Sequence, residues 1–453
     1  YYTYSKKSFF FASEIKAFNI TDKKINPDAI DNYLKIGFNP APQTLFDSIF
    51  KVEPGEVITF NIKNGIKKKQ LTSIADYYLK IKQNGHQKKK HDIQHNLENK
   101  LKKIVKEKLV SDVPIGVFLS GGLDSSLLAA IAQSISDKKI HTFSIGIEAP
   151  NINESHKSML VAKKIGSIHH HFSFSPQDIA RDWKKFIHSD NELICDPALF
   201  PTYMLAKKAR KYCTVVLTGE GADEIFSGYD RYQKELLGAR LRRYLPNKII
   251  KNIITWVPNY RFFRVLSEFN SHYVPISYLS FWSSSREKKQ NYINFIEKLW
   301  SQIKIPENIS LLEKLQIFDL THYVAEQLCK KTDITTMLAS VEARSPYLDK
   351  RLLEFTAISA TATHTDNKKF LLKHIAKKYL PEEIVNQKKQ GFSLPIRSIL
   401  ENELHAEFLD TIHNPHELIQ ASLGKKVVLS KDLGNEKNEN NSNPMYLQLI
   451  ESL

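Results

Sequence analysis

Short apolar runs alternate with amphipathic segments between residues 113 and 217. Four runs have the character of buried strands, and the segments between them place apolar residues at helical spacing. The pattern predicts strands at residues 113–119, 141–147, 169–174 and 214–217, and helices at residues 125–135, 159–165 and 179–187. Such alternation is typical of an α/β fold, in which helices cover both faces of a parallel sheet.

The segments on either side follow different patterns. Residues 1–78 are predicted to be rich in strands, because residues 55–62 alternate apolar with polar positions and Asn64-Gly65 marks a turn. Residues 79–96 are predicted to be a linker, since the stretch is polar, lysine-rich and nearly devoid of core residues. Residues 97–453 form a second predicted domain, which opens with a helix at residues 97–109 and is mostly helical after residue 235.

Composition and charge argue against several classes of protein. The net charge is +16, but only 12 of the 65 basic residues are Arg, which leaves 53 Lys spread over the whole chain. Because a phosphate-reading groove would favour Arg, we attribute the charge to a compositional bias and expect no nucleic-acid partner. No uncharged apolar stretch reaches the ~18 residues of a membrane span, so we expect no membrane partner. Cys195, Cys213 and Cys329 form no disulfide framework or CxxC pair, which fits the cytoplasm.

A glycine-rich turn, residues 120–126 (SGGLDSS), connects the first predicted strand of the sheet to the next helix. Glycines let a backbone approach a phosphate closely, and the amide groups at a helix N-terminus bind phosphate oxygens. Asp124 would repel phosphate unless Mg²⁺ lies between them. The turn is not a Walker A loop, because GxxxxGK[ST] is absent. The alternative is a simple Gly-Gly turn before a serine-capped helix.

A second block, residues 218–229 (TGEGADEIFSGY), follows the fourth predicted strand and therefore falls at the carboxyl edge of the sheet, where ligands of open α/β folds bind. Its acidic residues Glu220, Asp223 and Glu224 have a use beside a nucleotide, since Asp223 could share a metal with Asp124. The alternative is a solvated acidic helix start that the helix dipole favours. Two further blocks, residues 342–349 (EARSPYLD) and residues 369–395, each look like a helix end with surface charges when taken alone.

Together, these blocks resemble known enzymes. The SGGLDSS turn is similar to the pyrophosphate loop of the ATP pyrophosphatases, which split ATP between the α and β phosphates and form an adenylate. The four blocks in this order resemble the asparagine synthetase family of glutamine-dependent amidotransferases over essentially the whole chain. The resemblance implies a HUP-like parallel-sheet synthetase domain with a helical C-terminal part, preceded by part of a β-rich N-terminal-nucleophile glutaminase domain. It also implies ATP and Mg²⁺ as cofactors.

The resemblance assigns roles to individual residues. Those expected to bind the nucleotide are Phe118, Leu119, Ser120, Gly121, Gly122, Ser125, Ser126, Ile145, Thr218 and Gly219. Asp124 and Asp223 would hold Mg²⁺, Glu220 would lie at the adenylate-forming centre, and Lys369 would stabilise charge in the transition state. Lys331 could hold a substrate carboxylate.

Three positions depart from the family pattern. Thr218 stands where Ser is usual, and Lys373 and Gln387 stand where Arg is usual. The two Arg losses remove guanidinium groups that bind oxyanions in a bidentate manner, so they bear on substrate contacts rather than on adenylation.

Residues 11–18 (FASEIKAF) and 52–56 (VEPGE) resemble the second half of the glutaminase domain. In that domain an N-terminal Cys attacks the glutamine amide, whereas position 1 here is Tyr1. We therefore expect an incomplete glutaminase domain, and we expect that this chain alone does not hydrolyse glutamine.

The resulting hypothesis is the ATP-dependent amidation of aspartate to asparagine through β-aspartyl-AMP, with ammonia from glutamine in the intact enzyme or from solution. One alternative keeps the chemistry and changes the acceptor to another carboxylate, such as a uronic acid in surface polysaccharide biosynthesis. A second is a binding or regulatory protein without turnover. A homodimer is one arrangement that the resemblance allows.

The three consecutive histidines at residues 169–171 are expected to be structural rather than a metal site. Neighbouring side chains on a strand point to opposite faces, so three in a row cannot easily converge on one ion.

Overall fold

The computed structural model describes residues 1–5, 7–18, 24–84, 90–147, 155–187, 192–244, 289–303, 309–358 and 368–387. The family-like block at residues 389–395 and the Asn-rich stretch at residues 434–444 lie outside the described residues.

Strands and helices alternate along most of the described chain. The strands are β1 (Tyr2–Tyr4), β2 (Phe9–Phe11), β3 (Glu56–Asn61), β4 (Gly65–Gln70), β5 (Ile115–Phe118), β6 (His141–Ile147), β7 (Ile168–Phe174), β8 (Val215–Leu217) and β9 (Glu342–Arg344). The first helices are α1 (Pro27–Ile36), α2 (Ile74–Asn84), α3 (Lys90–Lys108), α4 (Leu123–Ser134), α5 (Ser155–Ile165), α6 (Pro176–Ile187), α7 (Leu199–Ala209), α8 (Ala222–Ile225) and α9 (Asp230–Tyr244). The later ones are α10 (Lys289–Gln302), α11 (Leu311–Phe318), α12 (Cys329–Met337), α13 (Lys350–Ile358), α14 (Phe370–Ala376) and α15 (Glu382–Asn386), and a π-helical segment, Asp319–Leu328, joins α11 to α12.

Five strands form one parallel sheet in the order β7-β6-β5-β8-β9. The α/β parallel sheet that the apolar pattern predicts is therefore confirmed. The edge strand β9 corrects an expectation, because the block at residues 342–349 was expected to be the end of a helix. Three residues are too few to show a period in the sequence, and only their pairing with β8 makes them a strand.

The order of the strands reverses at β5, with β6 and β7 on one side and β8 and β9 on the other. In open α/β sheets a ligand crevice opens where the order reverses, at the carboxyl ends of the strands. The glycine-rich turn leaves β5 at this edge, and the acidic block leaves β8 beside it. Two motifs that are about 100 positions apart therefore face the same crevice.

Helices α3 and α4 form much of the core behind the sheet. The apolar positions of α3 that predicted its helix, Leu97, Leu101, Ile104 and Val105, are all buried and pack in the same cluster as Leu127 to Ala132 of α4. Burying one side chain the size of Leu or Ile contributes about 1.5–3 kcal/mol relative to leaving it exposed. This packing fixes the start of α4, on which the glycine-rich turn depends.

The stretch predicted to be a linker, residues 79–96, is largely helical. Helix α2 continues to Asn84, α3 begins at Lys90, and residues 85–89 lie outside the described residues. Lys and Gln are common in this stretch and form helices well without being buried, so its polar composition does not exclude a helix. The division of the chain at this point stays a prediction.

A buried group of charges joins the N-terminal segment to the rest of the chain. The Lys51 ammonium lies 3.0 Å from Oε1 of Glu192 and 2.9 Å from Oε2 of Glu326, and all three side chains are buried. Burial acts to raise the pKa of Glu192, but Lys330 and Lys51 outweigh it and lower that pKa to about 2. Removing one partner would leave an uncompensated buried charge, which is strongly destabilising.

The three histidines of β7 bind neighbouring side chains. His169 contacts the hydroxyl groups of Thr142 and Ser144, each at 3.0 Å. His171 contacts Ser144 at 2.8 Å, and His170 contacts His141 at 2.9 Å. These contacts support a structural role.

Within the described part of the chain, no helix combines the length and the apolar character that crossing a membrane requires.

Candidate active site

The glycine-rich turn presents backbone amides at the start of α4. Gly122 caps this helix, so the first amide groups of α4 have no partner within the helix and lie at the carboxyl edge of the sheet, while the amide of Gly122 itself donates to Oγ of Ser120 at 3.3 Å. Gly121 has φ of +80°, and a Cβ atom there would lie 2.8 Å from Cβ of Lys157 and 2.9 Å from the amide of Ser158. Only glycine fits this position, because it tolerates both the left-handed backbone and the close approach of α5.

Hydroxyl groups hold the turn in shape. Oγ of Ser120 and Oγ of Ser125 lie 2.9 Å apart, and Oγ of Ser125 also accepts from the amide of Ser120 at 3.2 Å. Ser120 is exposed, so its hydroxyl is available to a ligand. The Ser126 side chain is fully buried, which leaves its hydroxyl on the core side of the helix.

Two of the residues expected to bind the nucleotide lie on β5 and β6. Phe118 and Ile145 are half-buried and pack against the same apolar cluster. The Leu119 side chain is fully buried in the core behind the sheet, so only its main chain faces the turn. The amide of Leu119 donates to the carbonyl of Phe143 on β6.

The turn after β8 packs directly against the glycine-rich turn. A Cβ atom at Gly219 would lie 3.3 Å from the amide of Ser125. Thr218 is buried, and its hydroxyl lies 2.9 Å from that of Ser345, which follows β9. The neighbouring strands β5, β8 and β9 therefore all contribute residues to the same edge of the sheet.

Lys369, at the start of α14, brings the two proposed metal ligands together. Its ammonium lies 2.5 Å from Oδ2 of Asp124 and 2.6 Å from Oδ1 of Asp223, and its side chain is 8% exposed. Burial acts to lower the pKa of Lys369, but the charges of Asp124 and Asp223 outweigh it and hold the pKa above its ordinary value. Lys369 is thus a protonated, preorganised cation beside the glycine-rich turn.

A second lysine holds Glu220. The Lys331 ammonium, on α12, lies 3.0 Å from Oε1 of Glu220 and 3.5 Å from Oδ2 of Asp196. The hydroxyl of Thr332 also donates to Glu220, at 3.3 Å. Burial acts to lower the pKa of Lys331, and Asp196 and Glu220 reverse that effect and raise it. Glu220 keeps 27% of its side chain exposed, so it remains accessible to solvent while it contacts Lys331.

Profiles of two protein families match this chain. A profile of the family described as asparagine synthase matches residues 96–450, which is more than half of the chain. The chain belongs to the asparagine synthase family. A profile of the glutamine amidotransferase domain matches residues 1–72.

Several relatives carry the asparagine synthetase name. Glutamine-hydrolysing asparagine synthetase 1 of Bacillus subtilis (strain 168) is 29% identical over 89% of this chain and 65% of its own length. Asparagine synthetase 3 of the same organism is 24% identical over 86% of this chain and 62% of its own length. Asparagine synthetase 2 of Lotus japonicus is 34% identical over 30% of this chain and 25% of its own length. The chain spans less than two thirds of the length of each of these relatives.

The site has neighbours to which the sequence analysis assigned no role. Asp196 and Thr332 contact the Lys331–Glu220 pair, and the hydroxyl of Tyr347 donates to the carbonyl of Asp124 at 3.1 Å. Gln387, which the sequence showed only as a departure from Arg, donates to the carbonyl of Gly121 at 2.8 Å. Two of these four residues had a signal in the sequence, because Tyr347 lies in the block at residues 342–349 and Gln387 stands where Arg is usual.

Asp124 and Asp223 are donors of the kind that Mg²⁺ binds. In this structure their carboxylates lie on either side of the Lys369 ammonium, at 2.5 and 2.6 Å, so a magnesium ion would bind them beside this cation rather than at the point that it holds. Mg²⁺ is commonly bound by one or two carboxylates together with substrate phosphates rather than by an all-protein cage. Two carboxylates completed by phosphates are a form that these donors suit. Among the described residues there is no cluster of three or more His, Cys, Asp or Glu that could hold a metal.

Proposed function

We propose that the protein activates the side-chain carboxylate of aspartate by adenylation and then amidates it with ammonia. The products are asparagine, AMP and pyrophosphate. The observation that carries this proposal is the position of Lys369, which is held between Asp124 and Asp223 beside a glycine-rich turn at the switch point of the sheet.

In the first step an oxygen of the substrate carboxylate attacks the α-phosphorus of ATP. The bond from that phosphorus to the oxygen bridging the α and β phosphates breaks, and pyrophosphate leaves. The amides at the start of α4 and the ammonium of Lys369 stabilise the negative charge that gathers on the phosphates. Bound by Asp124 and Asp223, Mg²⁺ would neutralise part of the charge of the leaving pyrophosphate.

In the second step ammonia attacks the acyl carbon of the adenylate, and the bond from that carbon to the AMP oxygen breaks. The attacking nitrogen must lose a proton. Glu220 is the group that we propose accepts it, because its carboxylate is partly exposed at the same edge and is oriented by Lys331 and Thr332.

Lys331 provides a means of recognising the acceptor. Aspartate carries an α-carboxylate and an α-ammonium besides the carboxylate that reacts. Lys331 supplies a buried cation for the α-carboxylate, and Asp196 beside it supplies an anion for the ammonium. The match of residues 1–72 to the glutamine amidotransferase domain supports glutamine as the source of ammonia in the intact enzyme.

The test is pyrophosphate release from ATP and Mg²⁺ with ammonium, scanned across aspartate, glutamate and sugar acids such as glucuronate. With aspartate we expect pyrophosphate release that does not occur when the acid is left out, together with equal amounts of AMP and asparagine. Release with a uronic acid and none with aspartate would contradict the proposed acceptor while leaving the adenylation chemistry intact. No release with any acid would contradict the proposed function.

A further inference from the structure

Gln316, a buried residue on α11, makes an unusual set of contacts with the acidic block. Its side-chain amide donates to the carbonyl of Glu224 at 2.7 Å and to the carbonyl of Ile225 at 3.2 Å. The same nitrogen lies 3.3 Å from Oγ of Ser227. The two hydrogens of this NH₂ group thus serve three acceptors at and just after the end of α8, where helix carbonyls have no partner within the helix.

The turn that Gln316 binds packs against two charged residues of the site, Asp223 and Lys369. A Cβ atom at Gly228 would lie 2.0 Å from Oδ1 of Asp223 and 2.2 Å from Cε of Lys369. The amide of Gly228 donates to the carbonyl of Asp223 at 2.8 Å, and the amide of Lys369 donates to the carbonyl of Phe226 at 3.2 Å. Any shift of this turn would therefore move both Asp223 and Lys369.

The backbone of the turn needs external support. Ser227 has φ of +58°, a left-handed conformation that a residue with a side chain adopts at a cost of about 1 kcal/mol or more. Lys369 has φ of +52° as well. Such conformations persist only where surrounding contacts hold them, and Gln316 supplies three such contacts to the turn.

Helix α11 is itself anchored firmly. Ser310 and Glu313 form a capping box at its start, in which the amide of Ser310 donates to Oε2 of Glu313 at 2.8 Å and the amide of Glu313 donates to Oγ of Ser310 at 3.3 Å. The position of Gln316 is therefore fixed from outside the active site, so that its amide can hold the turn in place.

We propose that Gln316 is a positioning residue for adenylation, which holds the turn at residues 224–228 so that Asp223 and Lys369 keep their places beside the phosphate-binding turn. The inference rests on the proposed function. A misplacement of about 1 Å at such a site can cost about 100-fold in rate, because reacting groups must be held in near-attack geometry.

The test compares Gln316→Leu and Gln316→Glu with Tyr78→Phe. Gln316→Leu removes the donor, and Gln316→Glu keeps the shape but places a carboxylate against carbonyl oxygens. Tyr78→Phe removes a buried hydrogen bond at the same helix without touching the turn. We expect the kcat for pyrophosphate release to fall about 10- to 100-fold in both Gln316 variants with the KM for ATP changed less than about threefold, and to stay within about twofold in Tyr78→Phe.

A second measurement is independent of turnover. Amide hydrogen exchange at residues 222–229 should be faster in Gln316→Leu than in the parent protein, and unchanged in Tyr78→Phe. Unchanged exchange in Gln316→Leu would overturn the inference, as would an unchanged kcat with a lowered Tm. If the parent protein formed no pyrophosphate with any acid, the proposed function would fail and the exchange experiment would still decide whether Gln316 holds the turn.

Discussion

The ammonium of Lys369 lies 2.5 Å from Oδ2 of Asp124, although the two residues are 245 positions apart in the chain. The sequence places Asp124 in a glycine-rich turn and Lys369 near the start of a late helix, and the fold brings both to the switch point of the sheet. The contact links the part of the site that would bind phosphate to the part that would stabilise the transition state.

Replacing Lys369 by Met should abolish most of the activity. The variant lacks the cation that faces Asp124 and Asp223, so the charge on the reacting phosphorus would be stabilised less. We expect kcat for pyrophosphate formation to fall at least about 100-fold, the scale seen when one preorganised donor is removed. The neighbouring Lys368→Met is the control, because Lys368 is partly exposed and pairs with the exposed Asp230. Equal losses in the two variants would contradict the role of Lys369.

Replacing Gly228 by Ala should inactivate the enzyme by a purely steric effect. The added methyl group would lie within 2.2 Å of both Oδ1 of Asp223 and Cε of Lys369, so at least one of them must move. We expect a fall in kcat of about 100-fold, measured by pyrophosphate release. Gly65→Ala provides the comparison, since a Cβ atom there meets nothing within 4 Å and its cost is confined to the left-handed backbone, at φ of +73°, of a hairpin turn away from the site. Full activity of Gly228→Ala would show that the site tolerates rearrangement.

Replacing Lys331 by Met should weaken binding of the acceptor more than binding of ATP. Lys331 is the buried cation beside Glu220 and Asp196, and it lies on α12 rather than in either turn that faces the phosphates. We expect the KM for the acid to rise about 10-fold or more, with the KM for ATP changed less than about threefold, because one charge-assisted contact is lost. Lys377→Met, at an exposed position, serves as the control. A selective rise in the KM for ATP would place Lys331 at the nucleotide instead.

The stability of the protein should fall in mild acid because of the β7 histidines. Burial, together with His171 and His170, lowers the pKa of His169 to about 4 from its ordinary value of 6.5. Below about pH 6.5 the unfolded chain therefore binds a proton at this position that the folded chain does not. The free energy of unfolding is not reduced by His169 above about pH 6.5, and it falls as the pH falls towards 4. Since His169 is only partly buried, we expect a loss of about 1–2 kcal/mol rather than the full linkage value.

Chemical denaturation between pH 7.5 and 4 measures this effect. In His169→Gln the free energy of unfolding should depend less on pH than in the parent protein. His95→Gln, at an exposed position on α3, should leave the pH dependence unchanged. A parent-like pH profile for His169→Gln would mean that other groups dominate the acid response.

Much of the sheet could be predicted from the sequence, because each of its first four strands is a short apolar run next to a helical pattern. The place of Asp124 followed from the same pattern, since the turn after a buried strand must open at the edge of the sheet. Helix α3 also followed from the spacing of Leu97, Leu101 and Ile104, although it begins earlier than expected.

The contacts across the site could not be predicted in the same way. The pairing of Lys331 with Glu220 spans 111 positions, and that of Gln316 with Glu224 spans 92. Neither Gln316 nor Asp196 belongs to a motif, and a single buried amide or carboxylate leaves no periodic trace in a sequence. Strand β9 was missed for a related reason, because tertiary pairing decides structure where local preference is weak.

The most direct test of the account is the identity of the nucleotide product. The parent protein and Asp124→Asn are incubated with ATP, Mg²⁺, aspartate and ammonium, and the products are separated by ion exchange. The account predicts AMP and pyrophosphate in equal amounts from the parent protein, and a loss of at least about 100-fold in Asp124→Asn. Formation of ADP and phosphate, or an undiminished yield of AMP from Asp124→Asn, would contradict it.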